Sequence, residues 1–382
     1  MSLPIVLDPA SGSRMFYFDK EDPRVLFGDF LTGEIYDEID AASCSWAQEL
    51  NDTGSVSQVI VPEAEVRRLD LRHRAQSIRT FLAVEQNDRI REAGPLVSRS
   101  WDWQRGQLTL GAAGFWWWLD RRVFQSPDSE FLTIANRSLG GIARSMLFNT
   151  TALQYSNPPL VLPPQMNGTH TETFWRWNLP RVGEQLRQLT QRAVDAPDIR
   201  FRPRRRADDR RYLEWVADIG TEDEPKLSQV GNDWVFDATA PRNPVRGIGT
   251  DEDASNMAEQ VWVTGNGMEQ DMLLARSSNL ELLEAGWPLT EATTSRPTVE
   301  DRTTLIEHSD AFLEASNRPI EAIKVTVRAD AATEVLAGHY CRVKVADDPW
   351  LPDGEFRMRI AKISGTLGDD VTLDMYPMQA VL

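Results

Sequence analysis

The sequence predicts a mainly β protein with α insertions. Runs that alternate apolar and polar residues, separated by turn residues, fill the segments 13–61 and 196–290. Segment 319–382 holds several short β-type runs at regular spacing, which is typical of a small barrel. Helical patterns are confined to a few stretches between these regions, so helices are expected as insertions.

The N-terminal region is expected to contain antiparallel strands. Within 13–61, residues 31–34 predict a hairpin tip, and the Asn-Asp-Thr-Gly sequence at 51–54 predicts a turn. Residues 63–80 are rich in Glu, Arg and Leu and contain neither Gly nor Pro, so they predict a helix. From 81 to 124 the strand pattern resumes.

The middle of the chain changes character between 126 and 195. A helix is expected over 129–146, a strand over 171–177 and a second helix over roughly 180–194, with prolines between them breaking the chain. Residues 196–290 return to the strand pattern, and 299–316 predict another helix.

Chain length suggests two to four domains, at roughly 100–200 residues each. The composition shifts predict four segments, and interleaving among them is left open by the sequence. They are a first β domain (1–125), a mixed insertion (126–195), a second β domain with a helix (196–318) and a small C-terminal β-barrel (319–382).

Composition narrows the class of function. The net charge of −17 repels phosphate, so DNA is expected only in passage and not as a bound ligand. The longest apolar runs, such as 115–119, are far below the roughly 20 residues of a membrane span, so no stable membrane insertion is expected. No signal peptide is apparent, and Cys44 and Cys341, distant in sequence, favour a reduced protein assembled in a cytosol.

Motifs that carry catalysis are not found in the sequence. His73, His170, His308 and His339 lack zinc-site spacing, and neither a nucleophile elbow nor a phosphate-binding loop is present. The 58 acidic residues include no pair that the spacing singles out for a glycosidase. We therefore assign no catalytic, cofactor-binding or metal-ligating residue, and an enzyme is disfavoured.

Two local features have both a structural and a functional interpretation. The basic run at 200–211 is either a solvated hairpin whose arginines pair with Asp208 and Asp209, or a contact to another subunit or an acidic neighbour. The triplet 116–118 is three tryptophans. Successive residues of an extended strand point to opposite faces, so core packing is favoured over a shared sugar-stacking platform.

Several segments resemble the tail-hub proteins, often called minor tail proteins, of long-tailed siphovirus-like actinobacteriophages. Residues 42–60, ASCSWAQELNDTGSVSQVI, contain the Leu-Asn-x-x-Gly-Ser passage that lies between two strands in that family. Similar segments follow at 93–97, 108–122 and 261–267, and the end from 338 to 375 is similar to the closing β unit of hubs. The resemblance covers most of the chain, and 126–195 matches least.

The resemblance implies an architecture and a set of partners. It implies two tail-tube-like β-barrels per subunit, and three subunits that close a ring between a sixfold tail and a threefold tip. The expected partners are the distal tail protein, the tape-measure protein and other tail-tip proteins, with DNA passing through the lumen during ejection. The expected location is the tail tip of the virion. A sixfold distal tail protein and a receptor- or cell-wall-binding tip protein are the alternatives.

Overall fold

The structure is a computed structural model that describes residues 6–7, 14–15, 23–124, 129–152, 157–192, 195–267, 271–296, 299, 301–317 and 320–377. The elements up to residue 119 are β1 (Val6–Leu7), β2 (Arg14–Met15), β3 (Arg24–Asp29), β4 (Ile35–Ile39), β5 (Ser43–Glu49), β6 (Ser55–Pro62), α1 (Glu63–Arg68), α2 (Leu71–Arg74), β7 (Thr80–Gln86), β8 (Arg89–Asp102), β9 (Gln107–Ala113) and α3 (Phe115–Leu119). The middle elements are β10 (Phe131–Arg137), α4 (Leu139–Ala152), β11 (Leu160–Val161), β12 (His170–Trp175) and α5 (Val182–Thr190). The remaining elements are β13 (Ile199–Arg205), β14 (Leu213–Ile219), β15 (Trp234–Asp237), β16 (Val245–Asp253), β17 (Gln260–Thr264), β18 (Leu274–Ser278), α6 (Leu280–Glu284), β19 (Glu291–Ser295), α7 (Arg302–Ser316), β20 (Ile320–Arg328), β21 (Tyr340–Val345), β22 (Gly354–Thr366) and β23 (Asp370–Pro377).

The fold is mainly β with helical insertions, as the sequence predicts. Its main feature is a 13-stranded sheet in the order β16-β20-β23-β22-β5-β6-β9-β8-β7-β3-β4, in which β21 also pairs with β22, and β15 pairs with β21. All of these pairs are antiparallel except β15 with β21. The predicted barrels stay a prediction, because the path of pairing runs from β16 to β4 without closing in the described part of the chain.

The long strand β22 joins the two ends of the protein. Its first half pairs with β21, while residues 362–366 pair with β5. The first and last predicted segments therefore share one sheet. The division of the chain at 125, 195 and 318 into domains remains a prediction.

Two hydrophobic cores lie on opposite faces of β3, β7 and β8. On β7, Leu82 and Val84 belong to the core shared with the C-terminal strands, whereas Phe81 and Ala83 belong to the core beneath the helical insertion. Successive side chains of a strand point to opposite faces, so a strand covered on both faces must be apolar almost throughout. Every residue of β7 is buried.

The prediction of a helix over 129–146 is wrong in its first half. Residues 131–137 form β10, which pairs with β12, and the helix α4 begins only at Leu139. Phe131-Leu-Thr-Ile134 has the aromatic and β-branched residues of a strand, and the Ser138 hydroxyl accepts from the backbone N–H of Gly141 at the helix start. Gly140 is required there, since a Cβ would lie 2.1 Å from the Gly220 carbonyl oxygen.

The helix predicted over 63–80 is divided into α1 and α2 by Asp70 and ends at Arg74, so the prediction is wrong for residues 75–80. The backbone of Asp70 is left-handed, with a φ of 50°, which ends regular helical geometry for an L-residue. The helices predicted over 180–194 and 299–316 are confirmed as α5 and α7. The sequence did not indicate α6 or β19. The strand β19 joins β17 and β18 in a small sheet, and α7 packs on it around the buried side chains of Val263, Ala275 and Leu305.

Candidate interaction surfaces

Groups that could perform chemistry are sparse in this fold. No cluster of three or more His, Cys, Asp or Glu side chains able to hold a metal ion occurs in the described ranges. Cys44 and Cys341 are buried free thiols, and burial raises the pKa of each to about 12, so both are unreactive thiols at neutral pH. Within the described residues, no helix is long and apolar enough to cross a membrane.

The basic run at 200–211 forms the β13–β14 hairpin. The expected pairs at its tip are present, with Arg206 on Asp208 and Arg211 on Asp209, each at 2.6 Å. The hairpin interpretation is therefore confirmed for these two arginines. The solvated-hairpin interpretation does not describe Arg200 and Arg205 of β13, whose side chains are largely buried.

Two arginines of β13, near opposite ends of the strand, enter the interior with acidic partners. Arg200 is 5% exposed, and its guanidinium contacts Asp218 at 2.8 Å. Arg205 contacts Glu85 of β7 at 2.7 Å, and that carboxylate is 2% exposed. The buried Arg200 guanidinium keeps the pKa of Asp218 below its usual value against the opposing effect of burial. These pairs fix the hairpin to the sheet, which alternating sequence alone could not indicate.

The tryptophan triplet lies on a helix and not on a strand. Successive side chains of the helix α3 are about 100° apart around its axis, so the argument from an extended strand does not apply. The prediction of core packing is nevertheless confirmed for two of the three tryptophans. Trp116 and Trp118 are 1% and 8% exposed, and the Trp116 Nε1–H donates to the Gly183 carbonyl at 3.2 Å. Trp117 is half-buried beneath the Arg121 guanidinium, 3.5 Å from the ring centroid.

A second aromatic group lies on the surface and was not indicated by the sequence. Phe131, Trp175 and Trp177 are 48%, 40% and 67% exposed. The rings of Trp175 and Trp177 stack at 4.6 Å, and the Phe131 ring lies 5.3 Å from Trp175 across the β10–β12 pair. Exposed, clustered aromatic rings are typical of contact surfaces.

The strand β16 offers a free sheet edge. It pairs with β20 on one side, and on the other side no strand of the described residues adjoins it. No atom lies within 4 Å of the position that a Cβ would take at Gly247 or Gly249 on this strand, so the sheet face towards which both would project is open there. At the opposite end of the sheet, the N–H of Ile35 donates to the Arg211 carbonyl, so β4 is partly covered by the β13–β14 hairpin.

Comparison with known proteins gives matches of structure and not of sequence. No protein-family model and no curated protein matches the chain. The crystal structure of the 43 kDa tail protein of prophage MuSo2 from Shewanella oneidensis is similar, with a TM-score of 0.55 and 11% identity over 93% of this chain and 98% of that one. The tail protein from Neisseria meningitidis MC58 has a TM-score of 0.52 and 12% identity over 93% and 96%. The chain therefore has the fold of these tail proteins along nearly its whole length.

Proposed function

We propose that the chain is a structural, non-enzymatic virion protein that forms a trimeric hub at the tip of a phage tail. In this role it joins the sixfold tail tube or distal tail ring to the threefold tip. The observation that supports the proposal most is the shared fold with two tail proteins, which extends over 93% of this chain and almost all of theirs.

The free edge of β16 supports self-assembly into a ring. An unpaired edge exposes backbone N–H and C=O groups, and closed rings of subunits satisfy such groups by strand pairing between copies. In the proposed hub, the edge of β16 that has no partner among the described strands meets a neighbouring copy.

The remaining partners follow from the position in the tail. The distal tail protein, the tape-measure protein and other tip proteins contact the ring, and the host assembles it in its cytoplasm. DNA passes through the lumen without being held, which is consistent with a net charge of −17. We further propose that the virion is that of a siphovirus-like actinobacteriophage.

The surface aromatic group favours one alternative, a receptor- or cell-wall-binding tip protein. The rings of Phe131, Trp175 and Trp177 form an exposed apolar patch, and such rings can stack on sugars. Loss of binding to host cell-wall glycan in a Trp177→Ala variant, with ring formation unchanged, would favour that function over the hub.

The oligomeric state of the complete chain tests the hub. Light scattering, with and without co-expressed tail proteins, should find a species of three times 43.2 kDa. Gly249→Lys places a long cation on the free edge and should abolish the trimer, whereas Gly368→Lys adds the same charge in the β22–β23 turn and should not. A species of six copies would point to the distal tail ring instead.

A further inference from the structure

A cleft of about 390 Å³ lies where three distant parts of the chain meet. The parts are the β7–β8 turn, the β13–β14 hairpin and residues 333–336. We call it the arginine cleft, because six arginines line it: Arg89, Arg91, Arg202, Arg204, Arg205 and Arg210. The acidic residues that line it are Asp88 and Glu334.

Two buried donors of the arginine cleft lack an acceptor. Arg91 is 6% exposed, and its terminal nitrogens donate to the carbonyls of Ala329, Ala332 and Thr333. Its Nε, and the Nε1 of Trp46, which is 2% exposed and also lines the cleft, have no hydrogen-bond partner among the described residues. A buried donor without an acceptor is unfavourable, and neither nitrogen is exposed to the space of the cleft.

Five of the six arginines of the arginine cleft pair with carboxylates, whereas Arg91 has no such partner among the described residues. The hydrogen bonds of Arg91 go to neutral carbonyls and not to a carboxylate. Burial lowers the pKa of Arg91 to about 10, so the side chain still carries its charge at neutral pH. A buried cation held only by carbonyl dipoles attracts an anion.

The entrance of the arginine cleft carries two exposed ion pairs. Arg210 contacts Asp88 at 2.6 Å, with side chains 62% and 59% exposed, and Arg89 contacts Glu334, with side chains 54% and 56% exposed. Exposed pairs of this kind contribute little to stability. A carboxylate from outside can therefore replace Asp88 or Glu334 as the partner of its arginine.

We propose that the arginine cleft binds an acidic, extended segment of another protein. Carboxylates of that segment bind Arg89 and Arg210, and the charge of Arg91, which no carboxylate of the described residues pairs with, attracts them. A guanidinium donates two parallel hydrogen bonds to one carboxylate, which suits this class of ligand. The proposal goes beyond the hub function and does not depend on the number of copies in the ring.

Nucleic acid fits the arginine cleft poorly. The chain as a whole carries a charge of −17 and repels a long polyanion. The volume of about 390 Å³ is that of a pocket for a short segment, and not of a groove that follows a duplex.

Titration of the complete chain with a hexaglutamate peptide, acetylated and amidated at its ends, tests the proposal. Calorimetry at low salt should detect binding that weakens as salt is added. The double variant Arg89→Gln, Arg210→Gln should weaken binding about tenfold or more, whereas Asp88→Asn with Glu334→Gln should strengthen it severalfold by removing the competing carboxylates.

The matched control removes the same number of positive charges from a surface outside the arginine cleft. Arg67→Gln with Arg105→Gln removes two arginines, 78% and 77% exposed, that pair with Glu63 and Asp102, and it should leave the affinity unchanged. The proposal is overturned if hexaglutamate does not bind, if the control weakens binding as much as the cleft variant, or if a hexathymidylate binds more tightly than the peptide. The acid-to-amide variant keeps the test valid if the arginine variant does not fold.

Discussion

Acidification should destabilise the protein through His339. Its Nδ1 accepts from the Trp234 Nε1–H at 3.2 Å and from the backbone N–H of Leu336 at 3.3 Å, so this nitrogen carries no proton in the fold. Burial, and then the charge of Arg200, lower the pKa of His339 to about 4 against the smaller opposing effect of Asp218. The His339 ring therefore binds a proton less readily in the folded protein than in the unfolded chain.

The magnitude follows from the two pKa values. The unfolded pKa is about 6.5, and one pKa unit corresponds to about 1.4 kcal/mol, so the difference is at most about 3 kcal/mol. Because the folded pKa is the lower one, this stability is present above pH 6.5. It is lost as the pH falls from there towards pH 4.

The assay compares the native protein with His339→Asn by urea unfolding between pH 7 and pH 4. The Asn Oδ1 can accept the two hydrogen bonds but does not titrate, so the variant should gain up to about 3 kcal/mol relative to the native protein over this range. His73→Asn is the control, since it makes the same substitution at a side chain that is 72% exposed. An unchanged difference between His339→Asn and native protein at pH 7 and pH 4 would refute the reasoning.

Three further experiments test the buried side chains. Trp116→Ala should lower the free energy of unfolding by about 3–5 kcal/mol, while Trp103→Ala, whose side chain is 83% exposed, should change it by less than about 0.5 kcal/mol in the same denaturation experiment. Arg205→Met should cost about 3 kcal/mol, because it leaves the Glu85 carboxylate buried beside β13, and a second change, Glu85→Leu, should restore part of that loss. Burial raises the pKa of Glu92 well above its usual value, so stability from this group is lost as the pH rises. Glu92→Gln should therefore gain stability relative to the native protein between pH 4 and pH 8, and an equal difference at both pH values would contradict this.

Turns and half-buried strands can be predicted from the local sequence. Elements whose structure depends on contacts with distant parts of the chain cannot. Residues 51–54 and the strands of the C-terminal region follow directly from turn residues and alternation. The β10 strand was mistaken for helix because its apolar residues fit both periods, and only pairing with β12 decides between them. For α3, five residues are too few to show a helical period.

The arginine cleft could not have been predicted from the sequence. Its arginines belong to segments more than 100 residues apart, and the packing of the β13–β14 hairpin against β7 and β8 brings them together. The basic run at 200–211 was a visible signal for half of the site. The other half, Arg89 and Arg91, has no local pattern that distinguishes it from an ordinary hairpin.

Electron cryo-microscopy of the virion that carries this chain tests the proposed function most directly. The map should show three copies of the chain around an open axial channel at the tail tip, with β16 of each copy beside its neighbour. A map with six copies in a ring, or with the chain as a separate body away from the tail axis, would contradict it.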